Sequence, residues 1–165
     1  GGISLLFNMP LLFESFVGYH LKQKAQHPAT IKLPASSEWL VIYNEERWFK
    51  LKPDFLMENN DQTYVMDAKW KLLDELKNNA KDKYNISQSD IYQLFAYGHK
   101  YQSGGGHMML IYPKHNGFQE PLQPFKFSDD LFLWVVPFDL EQEVLIEGDW
   151  ERCIQFFDKP LSIAQ

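Results

Sequence analysis

The stretch Leu51–Lys71, LKPDFLMENNDQTYVMDAKWK, restricts the fold more than any other part of this sequence. Apolar and polar residues alternate through its first part, which is typical of a strand, and Tyr64–Met66 form a second extended run. The turn-forming residues Asn59–Asp61 lie between the two runs. We therefore predict a β-hairpin, and pairing across its turn would bring Asp54 close to Asp67.

The end of this hairpin carries residues that suit phosphodiester hydrolysis. Asp67 and Lys69 are two residues apart, so in a strand both side chains point to the same face. Mg²⁺ takes oxygen ligands, and we expect them from Asp54, Asp67 and the Ala68 carbonyl, with Lys69 as a cation near the scissile phosphate. Glu14, on a preceding helix, is a candidate fourth ligand. The plain alternative is a solvated ion pair at a strand end, with Glu14 a surface acid.

The remaining patterns predict a mixed α/β (α+β) fold with a central mixed sheet flanked by helices. We expect a first helix from Pro10 to about Gln26, with Leu12, Phe16 and Tyr19 near one apolar stripe and Phe13 and Val17 beside it. The other predicted elements are strands at Trp39–Tyr43, Trp48–Leu56, Tyr64–Trp70, Met108–Tyr112 and Asp130–Val136, and helices at Asp90–Tyr101 and Asp149–Asp158. The first three strands should form an antiparallel meander.

The second helix carries a polar stripe of its own. Ser87 or Ser89 is the expected cap, and Asp90, Gln93 and Tyr97 follow helical spacing on one side. A solvated helix edge would give the same pattern, so helical spacing alone does not assign these residues a function.

Composition narrows the class of protein. A chain of 165 residues suits one domain, and we expect a core at about residues 9–137 and an acidic extension at 138–165. Residues 1–119 carry 13 Lys and Arg against 12 Asp and Glu, whereas residues 120–165 carry 3 against 10. The net charge of −6 therefore neither supports nor excludes DNA binding. No apolar run is long enough to cross a membrane, and we expect a cytoplasmic protein.

Several of these segments resemble a known family. PDFLM…YVMDAKW resembles the core motif of the PD-(D/E)xK nucleases, with Asp54, Asp67 and Lys69 at the matching positions. Gln93 and Tyr97 are similar to the Q-x-x-x-Y signature of the RecB-like branch. MPLLFESFVGYHL, LKPDF, VMDAKW and SDIYQLFAYGHKY, followed by MLIYPKH, together resemble the nuclease domain of the McrC family over about residues 9–115.

The resemblance implies a restriction-endonuclease-like core and a Mg²⁺-dependent DNA endonuclease, for which Mn²⁺ is an expected substitute. It implies Asp54, Asp67 and Lys69 as catalytic residues, Glu14 as a further metal ligand, and Gln93 and Tyr97 as supporting residues beside the metal or the DNA backbone. The implied substrate is double-stranded DNA with modified cytosine.

The implied partner is a McrB-like AAA+ GTPase ring, contacted through an N-terminal region expected to be missing from these 165 residues. GTP would act only through that partner, because the sequence contains no P-loop signature. Dimerisation of the nuclease domain would be one route to cleavage of both strands. Two alternatives stay open: the cleavage subunit of a related, sequence-specific GTP-dependent system, and a non-catalytic assembly module with a nuclease fold.

Overall fold

The computed structural model describes residues 8–33 and 37–157, and all structural statements below refer to this part of the chain. The helices are α1 (Met9–Lys24) and α2 (Gln88–Tyr101). The strands are β1 (Thr30–Lys32), β2 (Glu38–Tyr43), β3 (Glu46–Leu51), β4 (Phe55–Asn59), β5 (Gln62–Ala68), β6 (Gly106–Pro113), β7 (Phe125–Lys126), β8 (Leu131–Asp139) and β9 (Val144–Leu145). Short 3₁₀ turns occupy Lys83–Asn85 and Asp149–Arg152.

Seven strands form the central sheet in the order β1-β4-β5-β6-β8-β7, with β9 paired to β8. The pairs β5–β6 and β6–β8 are parallel, and the other pairs are antiparallel. This architecture confirms the predicted α/β fold with a mixed sheet flanked by helices. No helix in the described ranges is long and apolar enough to cross a membrane.

Alternate residues of the central strands divide the core between the two faces of the sheet. Phe55 and Met57 of β4 pack in the same cluster as Phe13 and Val17 of α1. Leu56 packs on the opposite face, in the cluster that contains Leu94 and Tyr97 of α2. Each helix therefore covers one face, and β4 and β5 lie between the two helices.

The predicted three-stranded meander is wrong. Instead, β2 and β3 form a separate two-stranded sheet, and the predicted strand Trp48–Leu56 is interrupted between Leu51 and Phe55. Pro53 lies in this interruption and has no N–H for a sheet hydrogen bond, so a continuous strand is disfavoured there.

The apolar stripe predicted for α1 is wrong at Leu12, Phe16 and Tyr19, whereas the burial of Phe13 and Val17 beside it is confirmed. Its buried residues are Phe13, Val17, Gly18 and Leu21. Phe16 and Tyr19 are 40% and 65% exposed. Apolar residues occur on both sides of this helix, so local spacing could not show which side meets the sheet.

The acidic end of the chain contributes to packing as far as it is described. Phe138 lies in β8, and Trp150, Ile154 and Phe156 are buried in the cluster on the α1 face. A 3₁₀ turn replaces the start of the predicted C-terminal helix, and Asp158 at its predicted end lies outside the described residues.

Candidate active site

The β4–β5 hairpin brings the two aspartates together. Phe55 pairs with Met66, which places Asp54 opposite Asp67 at the open end of the hairpin. The Asp54 amide donates a hydrogen bond to Asp67 Oδ1 at 3.0 Å. The Ala68 amide donates to Asp54 Oδ2 at 2.9 Å. Each carboxylate is therefore held by the backbone of the opposite side of the hairpin, as the hairpin prediction required.

Lys69 is held between the hairpin and α2. Its ammonium Nζ lies 2.8 Å from Asp67 Oδ2. It donates a second hydrogen bond of 2.8 Å to Gln93 Oε1 on α2. A further acid of α2, Asp90, has its Oδ1 3.8 Å from the same nitrogen. Two acceptors at hydrogen-bond distance and one more distant carboxylate, from two elements, thus surround one cation.

Glu14 reaches the same site from α1. The side chain of Asn8 accepts a hydrogen bond from the Leu11 amide and caps this helix at its start. Glu14 lies in the second turn and lines a cavity of about 440 Å³ together with Asp54, Lys69 and Asp90. Both helices therefore face the same end of the β4–β5 hairpin.

Tyr97 acts on the backbone, behind the carboxylates. Its hydroxyl donates to the Lys52 carbonyl at 3.2 Å, and one turn further along α2 the Tyr101 hydroxyl donates to the Leu51 carbonyl at 3.2 Å. Tyr97 is only 2% exposed. It therefore fixes the segment that leads into Asp54, while Gln93 contacts Lys69 directly.

Burial, together with the crowding of negative charge, raises the pKa values of the two aspartates. Burial and the neighbouring Asp54 raise the pKa of Asp67 to about 7, despite the opposing effect of Lys69. Burial also raises the pKa of Asp54, and the charge of Glu14 acts in the same direction. Burial by itself would lower the pKa of Lys69, but Asp67, Asp90 and Asp54 outweigh it and raise that pKa.

Two of the three predicted acidic metal ligands are in direct contact. Among the described residues, no three His, Cys, Asp or Glu side chains come close enough to hold one ion, so Glu14 lines the cavity without completing a cluster. Asp54 and Asp67 still fit Mg²⁺, which often takes one or two carboxylates and fills its other positions with water and phosphate. Burial and neighbouring negative charge both raise the pKa values of these carboxyl groups, and a bound cation would stabilise their charged forms.

Sequence reasoning did not assign Asp90 and Tyr101 to the site. Asp90 was part of the polar stripe with Gln93 and Tyr97, but nothing in the spacing showed that it would face Lys69. Tyr101 lies four residues after Tyr97, and that helical interval was the only available signal.

A larger cavity lies beside the start of α2, away from the carboxylates. Its volume is about 580 Å³, and Tyr84, Ile91, Phe125 and Phe127 supply much of its apolar wall. No acid is among the described residues that line it, so it offers no carboxylate to a cation.

Comparison with known proteins identifies the family and a similar fold. Residues 1–113 match the family described as McrBC 5-methylcytosine restriction system component. The fold is similar to a chain in the refined half-complex from the tetradecameric assembly of Thermococcus gammatolerans McrB AAA+ hexamers with bound McrC, with a TM-score of 0.62 and 17% identity. The match covers 87% of this chain but only 31% of the solved chain. No curated protein shows significant sequence similarity.

The family match extends over most of the sequence and includes α1, the β4–β5 hairpin, α2 and β6. The resemblance to McrC-like proteins seen in the motifs is thereby confirmed. The chain belongs to the family of McrBC 5-methylcytosine restriction system components.

Proposed function

We propose that this chain is the nuclease part of a McrBC-like, GTP-dependent restriction system and hydrolyses phosphodiester bonds in double-stranded DNA that contains modified cytosine. One observation carries the proposal: Asp54, Asp67 and Lys69 are joined by contacts of 2.8–3.0 Å at one end of the hairpin. They form a site with paired carboxylates and a lysine, in a chain of a restriction-system family.

Mg²⁺, or Mn²⁺ in its place, is the proposed cofactor. Asp54 and Asp67 would hold it, and the Ala68 carbonyl and Glu14 would supply further oxygen atoms directly or through water. When bound, the ion would lower the pKa of a water molecule and stabilise negative charge on the phosphate.

The residues around the carboxylates would organise the reaction. Lys69, held by Gln93, places a positive charge beside Asp67, where it can attract the scissile phosphate or the attacking water. Tyr97 keeps the segment before Asp54 in place through the Lys52 carbonyl. We expect in-line attack of water and a 5′-phosphate on the product.

The proposed partner is a McrB-like AAA+ GTPase ring. The similar solved chain comes from an assembly of McrB AAA+ hexamers with bound McrC. The glycine run at residues 104–106 of this chain is not followed by Lys-Ser or Lys-Thr, and we assign GTP hydrolysis to the proposed partner. A second nuclease copy would allow both DNA strands to be cut.

The test uses this protein with and without a McrB-like GTPase from the same organism, on methylated and unmethylated plasmids with Mg²⁺ or Mn²⁺. We expect cleavage of methylated plasmid with the partner and GTP, and its loss in Asp67→Ala and Lys69→Ala. Asp61→Ala is the matched control, because Asp61 is exposed in the turn at the other end of the same hairpin.

Other outcomes would select an alternative. Cleavage that follows a defined sequence and ignores methylation would indicate the related sequence-specific system. Absence of Mn²⁺ binding in calorimetry, together with intact partner binding, would indicate a non-catalytic assembly module and overturn the proposed function.

A further inference from the structure

Asp90 is an acid of the site with no role in the function proposed above. It lies in the first turn of α2, and its amide donates to the Oγ of the capping residue Ser87 at 3.2 Å. Its side chain is 20% exposed and lines the cavity that also contains Glu14, Asp54 and Lys69. The start of a helix favours a carboxylate, so α2 holds this negative charge in a defined place.

The contacts of Lys69 show what this charge faces. An ammonium group has three N–H donors. Two acceptors, Asp67 Oδ2 and Gln93 Oε1, each lie at 2.8 Å. Asp90 Oδ1 lies at 3.8 Å, which is too long for a direct hydrogen bond but within the range of an ion pair. Asp90 is therefore a second counter-ion of Lys69, in an ion pair without a hydrogen bond.

This arrangement matters because Asp67 has two uses in the proposed function. Its Oδ2 holds Lys69 here, and its carboxylate is also a proposed ligand of the divalent cation. Lys69 would give up part of this contact on cation binding, and it would then be left with neutral Gln93 and with Asp90. The described contacts of the Lys69 ammonium are Asp67, Gln93 and Asp90. If Asp67 binds the cation and Asp90 is removed, no carboxylate among these three remains for the ammonium.

We propose that Asp90 is a positioning residue that takes over Lys69 from Asp67 when a divalent cation binds, and that keeps the ammonium in the site. This inference rests on the proposed function, since it needs a cation at Asp54 and Asp67. Asp90 itself contacts neither the carboxylate pair nor the substrate in this scheme; it acts through Lys69.

The test measures Mn²⁺ affinity of the full chain by calorimetry at pH 8, without DNA. Loss of Asp90 makes Lys69 a stronger competitor for Asp67. We therefore expect Asp90→Asn to weaken Mn²⁺ binding by roughly fivefold to twentyfold, which is a change of about 1–1.8 kcal/mol. In a Lys69→Met background, the same substitution should change affinity by less than about twofold, because the competitor is absent.

Three controls separate this role from a general loss of charge or of fold. Asp61→Asn removes one exposed negative charge at the far end of the hairpin and should leave Mn²⁺ affinity unchanged. Asp90→Glu keeps the charge and should restore most of the affinity. Far-ultraviolet circular dichroism and the thermal midpoint should show that Asp90→Asn remains folded, because asparagine has nearly the same size and shape as aspartate.

Each outcome decides a separate question. An effect of Asp90→Asn that depends on Lys69 supports the inference. Equal effects with and without Lys69, or none in either background, overturn this inference and leave the proposed function standing. Wild-type protein that binds no Mn²⁺ overturns the proposed function, and the inference with it.

Discussion

At the scale of single residues, the carboxyl group of Asp67 is the most perturbed acid of the site. It is 2% exposed and lies against Asp54, and its pKa rises from 3.8 to about 7. The folded protein therefore binds a proton at Asp67 more tightly than the unfolded chain does. The resulting stabilisation is fully present below pH 3.8, declines as pH rises from about 4, and is lost above about 7.

Removing this group should change the pH dependence of folding. In metal-free protein, the unfolding free energy of wild type should fall between pH 4 and 8, and Asp67 should contribute at most about 4 kcal/mol of that fall. Asp67→Asn should remove this contribution. The measurement is urea unfolding with a chelator at several pH values in this window. Curves of equal slope for wild type and variant would contradict the raised pKa. Asp61→Asn, in an exposed turn, should leave the slope unchanged.

Tyr97 and Tyr101 of α2 can be compared at the same scale. Tyr97→Phe removes the hydrogen bond to the Lys52 carbonyl and should cost about 1 kcal/mol of unfolding free energy. Tyr101→Phe removes the bond to the Leu51 carbonyl and also a backbone hydrogen bond with Glu38, so it should cost at least as much. Tyr97 holds Lys52, two residues before Asp54, whereas Tyr101 holds Leu51. We therefore expect Tyr97→Phe to reduce the DNA cleavage rate by roughly tenfold, and Tyr101→Phe to reduce it less.

Unfolding curves and single-turnover cleavage at saturating Mg²⁺ would compare the two variants. If Tyr97→Phe and Tyr101→Phe cleave DNA at equal rates, then the hydrogen bond to the Lys52 carbonyl has no special role in positioning Asp54.

At the scale of elements, the contact between α2 and the sheet depends on a glycine. A Cβ atom at Gly98 would lie 2.8 Å from Leu131 Cδ2 and 3.2 Å from Met108 Sδ. Both neighbours are buried, so they have little room to move. Alanine here therefore overpacks the interface, although it also favours the helix.

We expect Gly98→Ala to lower the unfolding free energy by about 1 kcal/mol, because overpacking costs about 1–3 kcal/mol and helix propensity returns up to about 1. Gly105→Ala is the control, since its Cβ would meet only Asp130 atoms at 3.8 Å and beyond. Denaturant unfolding of both variants checks the difference. If Gly98→Ala were more stable than wild type, then the side chains of Leu131 and Met108 would be able to move away from the added methyl group at little cost.

Helix α1 shows where local pattern reaches its limit. Leu12, Phe16 and Tyr19 follow helical spacing as well as Phe13, Val17 and Leu21 do. Only the second set is buried, because it faces the methionine and phenylalanine side chains of β4 and β5. The helix itself followed from the sequence, since helical spacing depends on neighbouring residues.

At the scale of the whole molecule, the described structure has a well-packed sheet and a detached hairpin. The strands β6 and β8 are almost wholly buried, whereas Ile42 and Phe49 of the β2–β3 hairpin are 77% and 66% exposed. A two-stranded hairpin alone is marginally stable in water. Its junction with the sheet is held by Tyr97 and Tyr101 through the backbone that precedes Asp54.

This difference predicts unequal protection of backbone amides. Under native conditions, the hydrogen-bonded amides of β2 and β3 should exchange by local opening, at least about a hundredfold faster than those of β6 and β8. Hydrogen exchange followed by mass spectrometry measures both regions in one experiment. Equal protection would mean that the hairpin unfolds only together with the central sheet.

The sequence by itself determined the β4–β5 hairpin, its turn, both long helices and the set of residues proposed to carry the chemistry. These follow from residues close along the chain: alternation defines a strand, helical spacing and caps define a helix, and pairing across a short turn places Asp54 beside Asp67. The identities of Gln93 and Tyr97 came from a motif, and their contacts with Lys69 and the Lys52 carbonyl came from the structure.

Only the tertiary structure decided that α1 and α2 face the same end of the hairpin, and that Asp90 stands opposite Lys69. It also decided that β2 and β3 leave the central sheet, against the predicted meander. The physical reason is common to these cases. Which face of a helix is buried, and which strands pair, depends on surfaces contributed by distant parts of the chain, and no local pattern contains that information.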